Sequence, residues 1–336
     1  MPRVFVSDFI PGDILEPLET LAEVEVWGEK ERVPRETLFE RLVDCDGWIS
    51  MLSDRIDVEL LDSAPKLRVI SQMSVGVDNI DVEACRGHGV AVGYTPDVLT
   101  ETTADTAFAL IGAAVRRLPE GEAIVKSGAW GPWDPWHFLS SDLHGATLGI
   151  VGMGRIGQAI ARRARGFDMR VLYTARTTKD VPGAERLDLA RLLERSDIVV
   201  IAVPLSDETR GMIGGAELRL MKDSAMLVNV ARGPIVDTDA LVEALGDGVI
   251  GGAALDVTDP EPLPSDHPLL RFPNCLVVPH IGSATVPARR AMAALAVANL
   301  VAYLRQEPMP ARLPGSAVQP LGDYSAPGSP SESSDS

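Results

Sequence analysis

Apolar residues in this chain fall into short blocks separated by polar, helix-forming stretches. Val4–Ser7, Glu23–Trp27, Gly47–Met51, Leu67–Gln72 and Val90–Tyr94 read as strands, with amphipathic helical stretches between them at Glu36–Val43 and Val58–Ser63. Strands alternating with helices mean a parallel sheet joined by crossover helices. A long helix is expected from Thr100 to Arg117, with Leu118-Pro119 as its stop. A second series of strands follows at Thr147–Gly152, Arg170–Thr174, Ile198–Val203, Ala225–Val230, Gly251–Val257 and Cys275–Val278. The last helix, Pro287 to Leu304, has an Ala-rich apolar face and is expected to pack on the Thr100 helix. From Pro314 the chain is Gly, Pro, Ser and acid, which predicts a disordered tail over 314–336. The fold class is therefore α/β, with two doubly wound parallel sheets.

One segment breaks the pattern. Trp130-Gly131-Pro132-Trp133-Asp134-Pro135-Trp136 can be neither regular helix nor central strand. Its aromatic density points to an interface or a pocket wall, where Trp buries large area at small entropy cost.

Composition narrows the function. With 336 residues and a formal charge of -17, the chain is long enough for two domains and lacks the basic surface that nucleic acid or an anionic membrane requires. Cys45, Cys85 and Cys275 have no metal-ligand spacing, and an odd number makes a poor disulfide framework, so reduced cysteines and no metal are expected. The N-terminus enters a strand at once and no apolar run reaches membrane-helix length, so a soluble, cytoplasmic protein is expected.

Gly152-Met153-Gly154-Arg155-Ile156-Gly157 follows an apolar strand and opens a helical run at Gln158–Arg165. In this setting the first glycine allows a tight turn, the second admits a pyrophosphate to the backbone, and the third packs helix on strand. The helix start adds N–H groups and a positive dipole end. Sites for NAD place an acid at the end of the next strand, to bind the ribose hydroxyls. Here that end reads Leu172-Tyr173-Thr174-Ala175-Arg176-Thr177-Thr178-Lys179, cationic and rich in donors. That sequence suits a 2′-phosphate, so NADP is expected over NAD.

Three polar residues stand in Gly- or Pro-marked turns beyond the later strands: Arg232, Glu261 and His280. An arginine fork can hold a carboxylate and carbonyl together. A histidine can deliver a proton near neutral pH, and a carboxylate on its other nitrogen fixes the tautomer. Each alone is an ordinary turn residue. Together, at strand ends of a nucleotide-binding sheet, they predict reduction of an oxo-acid.

These motifs resemble the D-isomer-specific 2-hydroxyacid dehydrogenases and, within them, glyoxylate/hydroxypyruvate reductases. The likeness runs from about Val4 to Leu313. It rests on Met73-Ser74-Val75-Gly76-Val77-Asp78, Tyr94–Thr100, Arg116–Glu120, Gly154–Arg163, Leu255-Asp256-Val257-Thr258 with Pro260–Pro264, and Pro279–Thr285. The resemblance implies a flavodoxin-like substrate domain (1–99 and 286–313) with a Rossmann domain inserted (100–285). It gives Arg232, Glu261 and His280 the catalytic roles. The amides of Val75 and Gly76 would hold the substrate carboxylate, with Ser283 at its border. In a cofactor site that includes the glycines Gly152 and Gly157, residues Gly154, Arg155 and Ile156 would meet the pyrophosphate, Arg176 and Thr177 the 2′-phosphate, and Pro204, Val230, Asp256 and Gly282 the adenosine or nicotinamide. Relatives are typically dimeric, with a tryptophan matching Trp133 reaching the other subunit's active site. The expected reaction is NADPH-dependent reduction of glyoxylate and hydroxypyruvate. Two alternatives share the fold: a reductase of another 2-oxoacid, and a nucleotide-sensing, corepressor-like binding protein.

Overall fold

The computed structural model describes residues 1–318 of the 336. The chain forms two compact units, Met1–Pro96 with the chain from Arg290 onward, and Asp97–Arg289. The first holds a five-stranded sheet of β1 (Arg3–Val6), β2 (Glu23–Val26), β3 (Gly47–Ser50), β4 (Val69–Gln72) and β5 (Ala91–Gly93). All pair in parallel in the order β2-β1-β3-β4-β5. This is the flavodoxin-like order, with its switch point between β1 and β3. The crossovers carry α1 (Gly12–Glu19), α2 (Arg35–Leu42), α3 (Val58–Ser63) and α4 (Val82–Gly87). Asp57 and Asp81 start the last two by accepting the Leu60 and Ala84 amides.

The second unit begins with α5 (Thr100–Val115) and α6 (Leu118–Lys126). Its sheet comprises β6 (Thr147–Val151), β7 (Arg170–Thr174), β8 (Ala184–Arg186), β9 (Ile198–Ile201), β10 (Met226–Asn229), β11 (Gly252–Leu255) and β12 (Cys275–Val277). The order β12-β11-β10-β9-β6-β7-β8, parallel throughout, is the Rossmann arrangement extended by one strand. Helices α7 (Arg155–Ala164), α8 (Leu189–Arg195), α9 (Gly215–Leu218) and α10 (Thr238–Gly246) complete it. Strands β9 and β10 are almost wholly buried, as a sheet covered on both faces requires. Ala104 and Ala107 of α5 are buried in one core with Ala159, Ala161 and Ala164 of α7, small side chains that let the two helices approach closely.

Two readings change. The Thr100 helix stops at Val115, where Arg117 takes a left-handed conformation (φ 53°), and Pro119 lies in the first turn of α6 rather than ending a helix. Proline suits that place because its missing N–H has no partner to lose there. Strand β8 is absent from the sequence reading, since Ala-Glu-Arg carries no apolar signal. The final helix is α11 (Val286–Leu304). Its Ala293, Ala296, Val297 and Leu300 are buried with Val4, Val6, Ile49 and Val69 of the first unit's sheet. Asn299, also buried, donates to Ser71 Oγ (3.2 Å) and to Tyr94 O (3.1 Å), and accepts from Ala311 N.

The predicted tail lies, from residue 319 on, outside the described residues. Of the described residues at its start, Ser316 is buried and donates to Leu313 O at 2.8 Å, while Pro314, Gly315 and Val318 are exposed. Among the described residues no helix is long and apolar enough to cross a membrane.

Candidate active site

The carboxyl ends of the second sheet carry two adjoining constellations. At the end of β6 the three glycines differ in what surrounds them. Gly152 has φ 104°, and a Cβ there would stand 2.5 Å from Ala202 O. A Cβ on Gly157 would stand 2.0 Å from Gly152 O, so helix α7 sits directly on the turn. Around Gly154 there is open space within 4 Å. Gly154 also precedes the first turn of α7 without a side-chain cap. That is the arrangement a pyrophosphate needs: exposed amides at a helix start, with no side chain in the way. The residues present therefore fit a dinucleotide. Arg155 and Ile156 begin that helix, the Arg155 guanidinium being paired with Asp97 at 2.6 Å.

The other constellation gathers Arg232, Glu261 and His280. They follow β10, β11 and β12, adjacent strands in register through Asn229–Leu255 and Leu255–Val277. His280 Nδ1 lies 2.7 Å from Glu261 Oε1. Burial pushes the Glu261 carboxyl up, but the His280 hydrogen bond and charge, the Thr258 amide and the Arg232 charge outweigh it and hold it below the ordinary 4.5. The Arg232 charge thus favours the ionised Glu261 carboxylate. Its backbone is fixed on both sides, by Asn229 Nδ2 donating to Arg232 O (2.8 Å) and by Gly233, where a Cβ would stand 1.9 Å from Thr258 O. Only glycine allows the Arg232 turn and the Glu261 turn to touch backbone to backbone.

The buried Asp256 carboxylate accepts the amides of Ile281 (2.7 Å) and Gly282 (2.9 Å). Its backbone oxygen accepts the His280 amide at 2.9 Å. Burial raises the Asp256 carboxyl above its ordinary 3.8, against the lowering by those two amides. His280 is left-handed (φ 52°), a conformation that costs a residue with a Cβ about 1–2 kcal/mol and persists where neighbours fix it. Asp256 and Gly233 are the supports that sequence reasoning missed as supports. A lone acid ending the apolar run Gly252–Leu255 was the available signal.

Of the remaining expected residues, Pro204 and Val230 follow β9 and β10 at the same sheet edge, and Ser283 follows the His280 turn. Arg176 and Thr177 are exposed in the turn after β7. Val75 and Gly76 lie in the other unit, in the turn after β4, where the Ser74 hydroxyl donates to Gly76 O. Trp133 is 86% exposed, in a loop shared with Trp130 and Trp136.

A Rossmann sheet with a dinucleotide cradle and an Arg and Glu–His set on its next strand ends defines a nicotinamide-dependent oxidoreductase. Residues 108–282 match the family model of the D-isomer specific 2-hydroxyacid dehydrogenase NAD binding domain. Curated relatives include a glyoxylate reductase of Pyrococcus furiosus, 49% identical over 314 residues (91% of this chain, 93% of the relative). Another, from Thermococcus kodakarensis, is 49% identical over 317 residues (92% and 95%). Among solved structures, the TT0316 protein of Thermus thermophilus is 48% identical with a TM-score of 0.88 (93% of this chain, 99% of that one). The NADPH-dependent glyoxylate/hydroxypyruvate reductase of Sinorhizobium meliloti, in complex with NADP and malonate, is 33% identical with a TM-score of 0.82 (95% and 98%). The chain belongs to the D-isomer specific 2-hydroxyacid dehydrogenases, oxidoreductases acting on CH–OH donors.

Proposed function

We propose that this enzyme reduces small 2-oxoacids with NADPH, converting glyoxylate to glycolate and hydroxypyruvate to D-glycerate. The observation that carries the reading is the 2.7 Å Glu261–His280 pair beside Arg232, on the sheet edge that bears the glycine cradle. Support for the substrate comes from relatives described as glyoxylate reductases and from the NADPH-dependent glyoxylate/hydroxypyruvate reductase of similar fold. Bound at Gly152–Gly157, the nicotinamide nucleotide supplies the hydride. Arg232 holds the carboxylate and carbonyl through its fork. With Nδ1 engaged by Glu261, His280 Nε2 is the nitrogen that gives its proton to the carbonyl oxygen. Hydride on carbon and proton on oxygen complete the alcohol. Glu261, ionised, holds the imidazole in that tautomer.

NADPH is favoured over NADH because Arg176 and Lys179 stand where an acid would select the ribose hydroxyls. The protein acts in the cytoplasm as a homodimer. Leu118, Val125, Trp130, Trp133, Trp136 and Leu139 are all more than half exposed, an apolar surface that a second copy of this chain would cover. Sedimentation of the full chain should give twice the monomer mass.

The decisive test is an absorbance assay of NADPH and NADH oxidation with glyoxylate, hydroxypyruvate, pyruvate and phenylpyruvate. Turnover of the first two with NADPH is expected, and no oxidation with any of the four overturns the reading. Arg232→Ala should lower kcat/KM by about 100-fold or more, as loss of one side of a desolvated charge pair does.

A further inference from the structure

The five-residue turn from Ala175 to Lys179, where the cofactor's ribose is expected, is laced from both sides. From within β7, the Tyr173 hydroxyl accepts from Lys179 N and donates to Lys179 O, each at 3.0 Å. From β8 comes Arg186, the last residue of the edge strand. Its Nη2 donates to Ala175 O at 2.8 Å and to Arg176 O at 3.3 Å, and its Nη1 donates to Thr178 Oγ1 at 3.2 Å. The Arg176 and Thr177 side chains stay exposed on the turn so held.

An exposed arginine on loop carbonyls is often no more than a staple. Two features argue for more here. Arg186 is drawn onto a turn that already carries Arg176 and Lys179, so three cations are gathered on one short segment, against their mutual repulsion. A bound dianion would relieve that repulsion, and the place is the end of the second Rossmann strand, where the adenosine ribose lies. A lysine could not serve equally, since one ammonium cannot span two carbonyls and a hydroxyl with the planar fork of a guanidinium.

We infer that Arg186 is a positioning residue for selection of a 2′-phosphorylated nucleotide. It fixes the turn that presents Arg176 and Thr177 and adds a second guanidinium charge to that site. The inference rests on the NADPH reading above, and the test separates the two. Calorimetric titration of the full chain compares adenosine 2′,5′-bisphosphate with adenosine 5′-monophosphate, and NADPH with NADH. Arg186→Gln should weaken the bisphosphate and NADPH about five- to tenfold, the loss of hydrogen bonds and one charge facing a phosphate. It should move the monophosphate and NADH less than about twofold and leave the thermal midpoint unchanged, because an exposed site carries little stability. Arg186→Lys should fall between, keeping the charge without the fork. Equal weakening of both ligand sets would make Arg186 a plain structural staple and overturn the inference. So would an unchanged Arg186→Gln variant beside an Arg176→Ala variant that selectively loses the bisphosphate, and that outcome would leave the NADPH reading standing. A wild-type chain that binds the monophosphate and NADH as tightly as their phosphorylated counterparts would overturn both.

Discussion

Gly282 lies so close to Asp256 that a Cβ on it would stand 2.6 Å from the carboxylate oxygen that accepts its own amide. The contact belongs to a buried clamp, and the clamp sets the backbone from which His280 projects. Gly282→Ala must therefore move either the carboxylate or the turn. The expected result is a fall in kcat of about 100-fold, the order that a displacement near 1 Å of a reacting group produces. A variant with wild-type kcat would show that the turn does not depend on this packing.

Glu261 gives a prediction with a sign. Its folded-state carboxyl lies below the ordinary 4.5, so the pair stabilises the fold fully above that value and loses its contribution as pH falls through the lower, folded one. Glu261→Gln removes this acid-dependent component, so its thermal midpoint should fall less on acidification than that of the wild type. The same variant should lose about 100-fold in kcat, within the usual contribution of general acid catalysis. A full loss of activity in Glu261→Gln that is matched by Glu261→Asp would point to exclusion of any change at the site rather than to support of the imidazole.

Asp54 behaves in the opposite sense. Buried beyond β3, it accepts Met51 N at 2.7 Å, yet burial pushes its carboxyl up from 3.8 to about 6. The folded chain holds this proton more tightly than the unfolded chain, so the group stabilises most below 3.8 and loses ground as pH rises through about 6. Asp54→Asn keeps an acceptor for Met51 without the charge. Relative to wild type it should gain stability across that window, by up to about 3 kcal/mol at neutral pH. Urea unfolding at several pH values measures it, and parallel curves for the two proteins would rule it out.

Much of this molecule was readable in its residues, and the limits have physical causes. Strands β6, β9 and β10 were legible because a sheet covered on both faces needs unbroken apolar runs. The three polar turns were legible because a sheet places strand ends together whatever lies between them. Strand β8 was not, since an exposed edge can be built from Ala-Glu-Arg. That α11 buries Ala293 and Ala296 with Val4, Val6 and Val69 was not legible either, because an Ala-rich face fits helix or sheet alike. The same holds for Gly233 and Asp256. Their work lies in contacts with Thr258 and with the Ile281–Gly282 amides, 25 or 26 residues along the chain, and no local periodicity records such a meeting.

The Trp130–Trp136 loop makes the protein its own optical reporter. Of five tryptophans, Trp48 is fully buried, while Trp130, Trp133 and Trp136 are 76%, 86% and 79% exposed. Indole emission from an isolated chain is therefore dominated by water-facing rings, red-shifted and open to collisional quenchers. Whatever covers that loop will shift the emission to the blue and shield it, so assembly can be followed without any label.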